Sequence, residues 1–173
     1  MTHHSTHRLV LSALFASLCT VMTLVIQIPS PMQGYLNLGD CAVLLSAWML
    51  GPVYGALAAG LGSMLADILS GYAHYAPGTL VIKFAMGAVA GIIFLGLRKL
   101  SPNRPLLAHC VSGLAAECIM VCGYFAYASL LLGRGLAAAA SIPGNIVQGV
   151  FGLAAAVAAY AIVSKSGLLS QTR

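Results

Sequence analysis

The sequence predicts an all-α membrane protein with six transmembrane helices, organised as a single domain over residues 1–173. Composition is the first reason, because 60% of the residues are hydrophobic and only 6% are charged, whereas soluble domains carry about 25% charged residues. The mean hydropathy of +0.96 is the second reason, since such a chain cannot cover a water-exposed surface with polar groups. The third is that apolar runs of bilayer-spanning length recur along the chain.

The individual spans follow from the apolar runs and from the residues that interrupt them. A bilayer core about 30 Å thick needs about 20 helical residues. The first run, Leu9 to Ile28, is longer than the apolar core of a removable signal peptide and lacks a small-residue cleavage site. Gly51-Pro52 separates the second run from the third, and proline and glycine punctuate the other connections. We predict spans at 8–28, 37–50, 52–71, 79–98, 106–131 and 142–164, of which the second is short for a full crossing.

The distribution of basic residues predicts that both termini are cytoplasmic. Cytoplasmic loops of membrane proteins are enriched in Lys and Arg. With the N-terminus inside, the inner basic residues are Arg8, Arg98, Lys99, Arg104, Lys165 and Arg173, and the outer loops hold only Arg134. The formal net charge of +5 therefore indicates topology in the cell membrane, and we expect no nucleic-acid partner.

Polar residues from distant parts of the sequence fall at one depth in this topology. The third span runs outward and the fourth runs inward, so Asp67 and Lys83 both lie about one helical turn below the outer surface. The same outer level holds Asn37, Asp40, Asn145 and Gln148, while Glu117 lies near the middle of the fifth span. We interpret this grouping as the lining of a wet, outward-facing cavity in a helical bundle.

Each ionisable residue also has a structural interpretation. A charge that faces lipid costs at least about 2.5 to 3.5 kcal/mol, so intramembrane ionisable residues tend to form pairs, cavities or relays. Asp67 and Lys83 either line the cavity or form an ion pair that fixes helix register, and Asp40 either contacts a ligand or caps the second span. Glu117 has no obvious cation at its own depth, which favours ligand binding or a proton-linked role over a protonated core carboxyl.

The outer connection between the third and fourth spans carries Tyr72, His74 and Tyr75. These side chains suit a planar ring ligand, because their rings stack and their hydroxyl and imidazole groups form hydrogen bonds. The alternative is that the tyrosines belong to the aromatic belt at the membrane surface.

Histidine and cysteine do not form a metal-binding pattern. The segment MTHHSTH holds three histidines in what we expect to be a frayed, solvated cytoplasmic tail. The five cysteines lie in apolar segments without the spacing of metal ligands, which predicts buried thiols. We therefore predict neither a metal site nor a cofactor.

Small residues recur at a spacing of four, which allows close approach between helices. Such ladders occur at Ala47/Gly51/Gly55/Ala59, at Gly87/Gly91, and in the first span at Ser12/Ala16 and Ala13/Ser17. Most of these positions serve packing within the bundle. The first-span pairs lie near the cytoplasmic face, opposite the predicted cavity.

Residues 35–91 carry a family resemblance. They read YLNLGDCAVLLSAWMLGPVYGALAAGLGSMLADILSGYAHYAPGTLVIKFAMGAVAG and include N-L-G-D, G-P-x-x-G, G-S-x-x-x-D and Y-A-P-x-T-x-x-I-K, with I-P-G-N-x-x-Q following at the sixth span. In this order, the motifs resemble the substrate-binding S component of energy-coupling factor (ECF) transporters, in the branch grouped with riboflavin, pyridoxine and hydroxymethylpyrimidine uptake.

The resemblance implies a subunit that captures a small vitamin in an outward pocket, capped by the first and third outer loops. It implies partners: a transmembrane coupling subunit and two cytoplasmic ATPases. The implied pocket residues are Asn37, Asp40, Asp67, Lys83, Glu117, Asn145 and Gln148, and the implied docking residues are Ser12, Ala13, Ala16 and Ser17. The family's docking motif is commonly Ala-x-x-x-Ala, whereas this chain reads Ser-x-x-x-Ala and Ala-x-x-x-Ser.

Two other classes of function compete with this interpretation. A self-sufficient secondary transporter would use Asp67 or Glu117 as a proton carrier, but the sequence has no detectable inverted repeat. A membrane enzyme is disfavoured, because no carboxylate pair or Cys/His motif has useful spacing. The chain also lacks a Walker A motif, so partner ATPases would have to supply the energy for transport.

Overall fold

The protein is a bundle of long apolar helices with one short β-hairpin. The computed structural model describes residues 3–30 and 34–165; Arg173, used above for the orientation, lies outside them. The elements in chain order are α1 (His3–Val25), β1 (Ile28–Ser30), β2 (Gly34–Leu36), α2 (Gly39–Leu69), α3 (Ala76–Leu100), α4 (Pro105–Ala126), a π-helical turn (Tyr127–Leu131), a 3₁₀ helix (Gly135–Ser141) and α5 (Ile142–Lys165).

Within the described residues, five helical segments are long and apolar enough to cross a membrane. They are Thr6–Val25, Gly39–Leu69, Ala76–Leu100, Pro105–Leu131 and Gly135–Lys165. Large apolar side chains such as Leu14, Val81, Leu114 and Val150 are more than half exposed, which suits lipid rather than water. The prediction of an all-α, multi-pass membrane protein is confirmed at this level.

The second and third predicted spans form one helical element with a break inside it. Gly51 has φ 83° and ψ −177°, a left-handed backbone conformation that glycine adopts without steric cost. Pro52 follows at once and starts the next helical segment. The two predicted spans are therefore the two halves of α2, separated at the predicted residue, and the first half is too short to cross a membrane by itself.

Glycines bring α1, α2 and α3 into close contact. A Cβ atom built on Gly62 would lie 2.2 Å from the carbonyl oxygen of Ala16, and one on Gly87 would lie 2.8 Å from the Cα atom of Ala56. The hydroxyl of Thr20 donates a hydrogen bond of 2.8 Å to the Gly62 carbonyl oxygen, which joins α1 to α2. The small residues thus allow backbone-to-backbone packing, as expected from their spacing.

We expect Gly62→Ala to lower the free energy of unfolding by about 1 to 3 kcal/mol, because the added methyl group forces α1 away from α2. The matched control is Gly96→Ala in α3, where a Cβ atom meets nothing within 4 Å. That variant should unfold at the wild-type temperature or above it, since alanine favours helix. Thermal unfolding in detergent measures both effects, and equal stability of the two variants would contradict the packing argument.

A β-hairpin follows α1 and was not predicted. β1 and β2 pair antiparallel, with Pro29 opposite Tyr35. The helix before it ends at Val25, so the predicted first span, 8–28, is too long at its C-terminal end. The side chain of Gln27 donates a hydrogen bond of 2.7 Å to the hydroxyl of Ser70, which ties the start of the hairpin to the end of α2.

Two further expectations require correction. The backbone is helical from His3 onward, so most of the histidine-rich segment continues α1 instead of forming a frayed tail. Cys19 and Cys41 are buried as predicted, but Cys110, Cys118 and Cys122 are exposed on α4. In a membrane protein an apolar thiol is stable on the lipid-facing surface as well as in the core.

Candidate functional site

A polar cavity lies where the hairpin, the α2–α3 loop and the start of α5 meet. Its open space, including the mouth, measures about 560 Å³. Four tyrosines, one carboxylate, two aliphatic hydroxyl groups and three side-chain amides line it: Tyr35, Asn37, Asp67, Tyr72, Tyr75, Thr79, Tyr124, Ser141, Asn145 and Gln148. We call this space the polar cavity.

The turn after α2 sets the position of Tyr72 beside Asp67. Gly71 has φ 82°, and the amide of Tyr72 donates a 2.8 Å hydrogen bond to the Asp67 carbonyl oxygen. The amide of Gly71 donates to the carbonyl oxygen of Ile68. This pair of bonds is the Schellman helix ending, which glycine favours, and it folds the chain back over the last turn of α2.

Asp67 is held by the hairpin and keeps one oxygen unpaired. The hydroxyl of Tyr35 donates a hydrogen bond of 2.7 Å to Oδ1, and the Tyr35 ring lies 4.8 Å from the Tyr72 ring, centroid to centroid. Burial, followed by the nearby Asp67 carboxylate, raises the pKa of Tyr35, so its hydroxyl keeps the proton that it donates. Oδ2 of Asp67 is buried and accepts no hydrogen bond from the described residues.

A buried ion pair forms the floor beneath the polar cavity. Lys83 of α3 donates to Oδ1 of Asp40 at the start of α2, and Gln148 of α5 donates a hydrogen bond of 2.6 Å to Oδ2. The side-chain oxygen of Gln148 in turn accepts a 3.0 Å hydrogen bond from the backbone amide of Asn37. The ammonium group of Lys83 also lies 5.6 Å from the centre of the Tyr124 ring.

This network shows which partner Lys83 has and whether Asp40 caps α2. Lys83 pairs with Asp40 and not with Asp67. Asp40 does not cap α2, because Leu38 is the cap residue, and the Gly39 amide donates its 2.8 Å hydrogen bond to the side chain of Asn37. Both oxygens of Asp40 are engaged, and its side chain is fully buried, so the pair joins three helices below the polar cavity.

The α2–α3 loop supplies the aromatic wall. His74 stacks between its neighbours, with ring centroids 6.2 Å from Tyr72 and 4.8 Å from Tyr75, and its carbonyl oxygen accepts a 2.8 Å hydrogen bond from the hydroxyl of Tyr127. Burial raises the pKa of Tyr75. The guanidinium of Arg134 lies 5.7 Å from the centre of the Tyr75 ring. The loop is thus fixed to the end of α4.

The structure separates the ten predicted binding residues into groups. Six line the polar cavity: Asn37, Asp67, Tyr72, Tyr75, Asn145 and Gln148. Asp40 and Lys83 form the floor, His74 is exposed on the loop behind its neighbours, and Glu117 lies in a separate groove between α4 and α5. These four residues lie outside the lining of the polar cavity, and substrate binding by any of the ten stays a prediction.

Four lining residues were missed: Tyr35, Thr79, Tyr124 and Ser141. Thr79 and Tyr124 face each other across α3 and α4, with their oxygens 3.0 Å apart. Thr79 stands four residues before Lys83, on the same helix face, and this spacing was the available signal. Tyr35 depends on the unpredicted hairpin, so its position had no local signal.

The four predicted docking residues face two directions. Ser12 is 8% exposed, and the carbonyl oxygen of Ala16 faces Gly62 of α2. Ala13 and Ser17 are exposed on a neighbouring face of α1, about 100° around the helix axis. Only the Ala13/Ser17 pair is therefore available to a partner in this conformation.

The described residues contain no group of three or more His, Cys, Asp or Glu side chains that could hold a metal ion. The polar cavity itself carries a single carboxylate, Asp67, among amides and hydroxyl groups. Such a lining provides hydrogen bonds and ring contacts to an organic solute.

Fold and cavity together define a multi-pass membrane protein with a polar pocket at one end of a helical bundle. The chain belongs to the S-component family of ECF transporters, because the family model for the S component of the ECF-type riboflavin transporter matches residues 3–165. The predicted resemblance is thereby confirmed. The family consists of transporter subunits and not of enzymes.

Two relatives and one solved structure are similar to this chain. An uncharacterized protein of Pyrococcus woesei is 41% identical over 135 residues, covering 78% of this chain and 86% of the relative. The thiamine precursor transporter HmpT of Lactococcus lactis subsp. cremoris is 25% identical over 175 residues, covering 100% of this chain and 97% of the relative. A solved S component of a bacterial ECF transporter shares the fold, with a TM-score of 0.65, 20% identity, and coverage of 93% of this chain and 97% of that one.

Proposed function

We propose that this chain is the high-affinity capture subunit of an ECF-type importer in the cell membrane. Its substrate is a small water-soluble vitamin or related ring compound of the riboflavin, pyridoxine or hydroxymethylpyrimidine type. The observation that carries the proposal is the polar cavity, in which four tyrosine rings surround amides and one carboxylate. Rings stack on a planar solute, and the polar groups fix its orientation.

The proposed topology has six membrane segments, counting the two halves of α2 separately, with both termini cytoplasmic. Arg98 and Lys99 lie in the last turn of α3, and Lys165 lies in the last turn of α5. These helix ends are opposite the polar cavity, and basic residues favour the cytoplasmic side. The polar cavity then faces outward, where a substrate is captured.

Direct binding tests the proposal. The purified chain in detergent is denatured, and released small molecules are identified by mass spectrometry. Riboflavin, pyridoxine and hydroxymethylpyrimidine are then titrated separately against the emptied protein. We expect saturable binding of one of the three compounds, and failure of all three to bind would contradict the proposed substrate class.

Transport by this subunit is proposed to require a transmembrane coupling subunit and two cytoplasmic ATPases. A proton-coupled secondary transporter is the second candidate, and the buried, unpartnered carboxyl of Glu117 is the observation that favours it. Uptake into cells distinguishes the two mechanisms. ECF-type uptake is lost when the ATPase partners are deleted, whereas proton-coupled uptake persists without them and collapses with the proton gradient.

The Ala13/Ser17 face of α1 is the proposed contact with the coupling subunit. We expect Ala13→Phe to leave substrate binding unchanged and to reduce cellular uptake at least about fivefold, because a bulky side chain prevents close helix approach. Ile162→Phe is the control, since Ile162 is an exposed apolar residue of α5, 69% exposed. Normal uptake by Ala13→Phe would place the docking surface elsewhere.

A further inference from the structure

A second cavity opens between α4 and α5, on the flank of the bundle. Its open space measures about 640 Å³, including the mouth. Apolar and thiol side chains form most of its walls, which consist of Leu114, Glu117, Cys118, Val121, Cys122, Asn145, Ile146, Gly149, Val150 and Leu153. We call it the α4–α5 groove, and Glu117 is the one charged residue that lines it.

Glu117 is placed in the groove without a hydrogen-bond partner. The residue is 6% exposed, and neither carboxyl oxygen has a partner among the described residues. Gly149 of α5 makes room for it, because a Cβ atom there would lie 2.9 Å from Oε2. An unpaired buried carboxyl is costly, and native proteins rarely keep one without a use.

The nearby charges do not satisfy this carboxyl. Asp40 and Lys83 are close enough for their charges to act on Glu117, but they pair with each other. The cation of the floor is therefore already neutralised. A molecule that enters the groove can supply a hydrogen-bond partner to Glu117.

The groove is adjacent to the polar cavity. Asn145 lines both spaces, and the next turn of α5 presents Gln148 to the polar cavity and Gly149 to the groove. A flat solute that lies across Asn145 contacts the polar groups on one side and the groove on the other. The two spaces thus suit different edges of one molecule.

We propose that Glu117 and the α4–α5 groove form a second subsite, which takes the edge of a nitrogen heterocycle that carries an amino group next to a ring nitrogen. This inference rests on the proposed function and specifies the substrate class of that site. A protonated carboxyl donates to the ring nitrogen and accepts from the amino group, and a carboxylate accepts from both when the ring is protonated. The apolar walls hold the adjoining ring face.

The subsite also excludes some ligands. A phosphate, a carboxylate or a ring edge that carries only carbonyl oxygens offers no donor to Glu117, so at least one carboxyl oxygen would be left without a partner. The groove contributes one other polar side chain, Asn145. Selection at this subsite therefore depends on the hydrogen-bonding pattern of the ring edge.

The test compares hydroxymethylpyrimidine, which carries such an amino group, with pyridoxine and riboflavin, which do not. We expect hydroxymethylpyrimidine to bind the wild-type chain and Glu117→Leu to weaken this binding at least about tenfold, as expected for a hydrogen bond to an ionisable group. Without ligand, Glu117→Leu should unfold at a higher temperature than wild type, because it removes an unpaired buried carboxyl. A purely structural role for Glu117 predicts the opposite change in stability.

Native cysteines report occupancy of the groove. Cys118 and Cys122 line it and are exposed, whereas Cys110 is exposed on the same helix outside it. Hydroxymethylpyrimidine should slow N-ethylmaleimide labelling of the two groove cysteines in detergent and leave labelling of Cys110 unchanged. Equal labelling with and without the compound would contradict occupancy of the groove.

Each remaining outcome overturns a defined part of the proposal. Binding of pyridoxine or riboflavin with equal affinity to wild type and Glu117→Leu leaves the proposed function intact and removes the subsite. Failure of all three compounds to bind removes both. If Cys118 and Cys122 react in detergent but not in phosphatidylcholine nanodiscs without added compound, the groove is a lipid site and the subsite is rejected.

Discussion

Replacing Lys83 by methionine is expected to lower the free energy of unfolding by about 3 to 5 kcal/mol, the range for breaking a buried ion pair. Methionine fills a similar volume, so packing changes little. The loss arises because Asp40, which is fully buried, keeps its charge with only the Gln148 amide as a side-chain donor. Thermal or SDS-induced unfolding of the purified protein measures the change.

Two comparisons isolate the charge effect. Lys99→Met removes an exposed lysine at the end of α3 and should change the free energy of unfolding by less than about 0.5 kcal/mol. The double variant Lys83→Met/Asp40→Asn removes both charges and should recover at least half of the lost stability, because no unpaired charge remains. If the double variant is no more stable than Lys83→Met, the unpaired charge of Asp40 is not the cause.

The fold was predictable wherever the bilayer and the backbone impose strict limits. Span length follows from membrane thickness, and the break at Gly51-Pro52 follows from the geometry of glycine and proline. The β-hairpin was not predictable in the same way. Its strands have three residues each, which is too short for a clear alternating pattern.

The depth of the polar residues was predictable, but their partners were not. Sequence position gives height along a helix axis, and this placed Asp67 and Lys83 at one level. Which side chains meet depends on the rotation and packing of neighbouring helices, which close contacts such as Gly62 on Ala16 determine. Lys83 therefore pairs with Asp40, 43 residues away, and not with the acid that appeared nearest.

The position of Glu117 also depends on helix packing that could not be predicted from the sequence. Its depth in the fifth span suggested that it joins the outward cavity, but its side chain lies on the face of α4 that meets α5. The sequence contained one relevant signal, since Gly149 stands where α5 must approach a large side chain. A glycine in a helix has several possible reasons, so this signal became specific only with the structure.

We expect Asp67→Asn to weaken substrate binding about ten- to hundredfold, because it removes a charge-assisted hydrogen bond worth about 1.5 to 3 kcal/mol. Asp67 lines the polar cavity; Oδ1 accepts from Tyr35, and Oδ2 is buried without a hydrogen-bond partner among the described residues, so we expect Oδ2 to accept from the bound substrate. Asparagine keeps the shape and the acceptor for Tyr35, so the apo protein should retain its stability. Titration with whichever of riboflavin, pyridoxine and hydroxymethylpyrimidine binds the wild type measures the change. Unchanged affinity would mean that the substrate is held by the amides and rings alone, whereas an equal loss in Tyr35→Phe would show that the hairpin positions the carboxylate for binding.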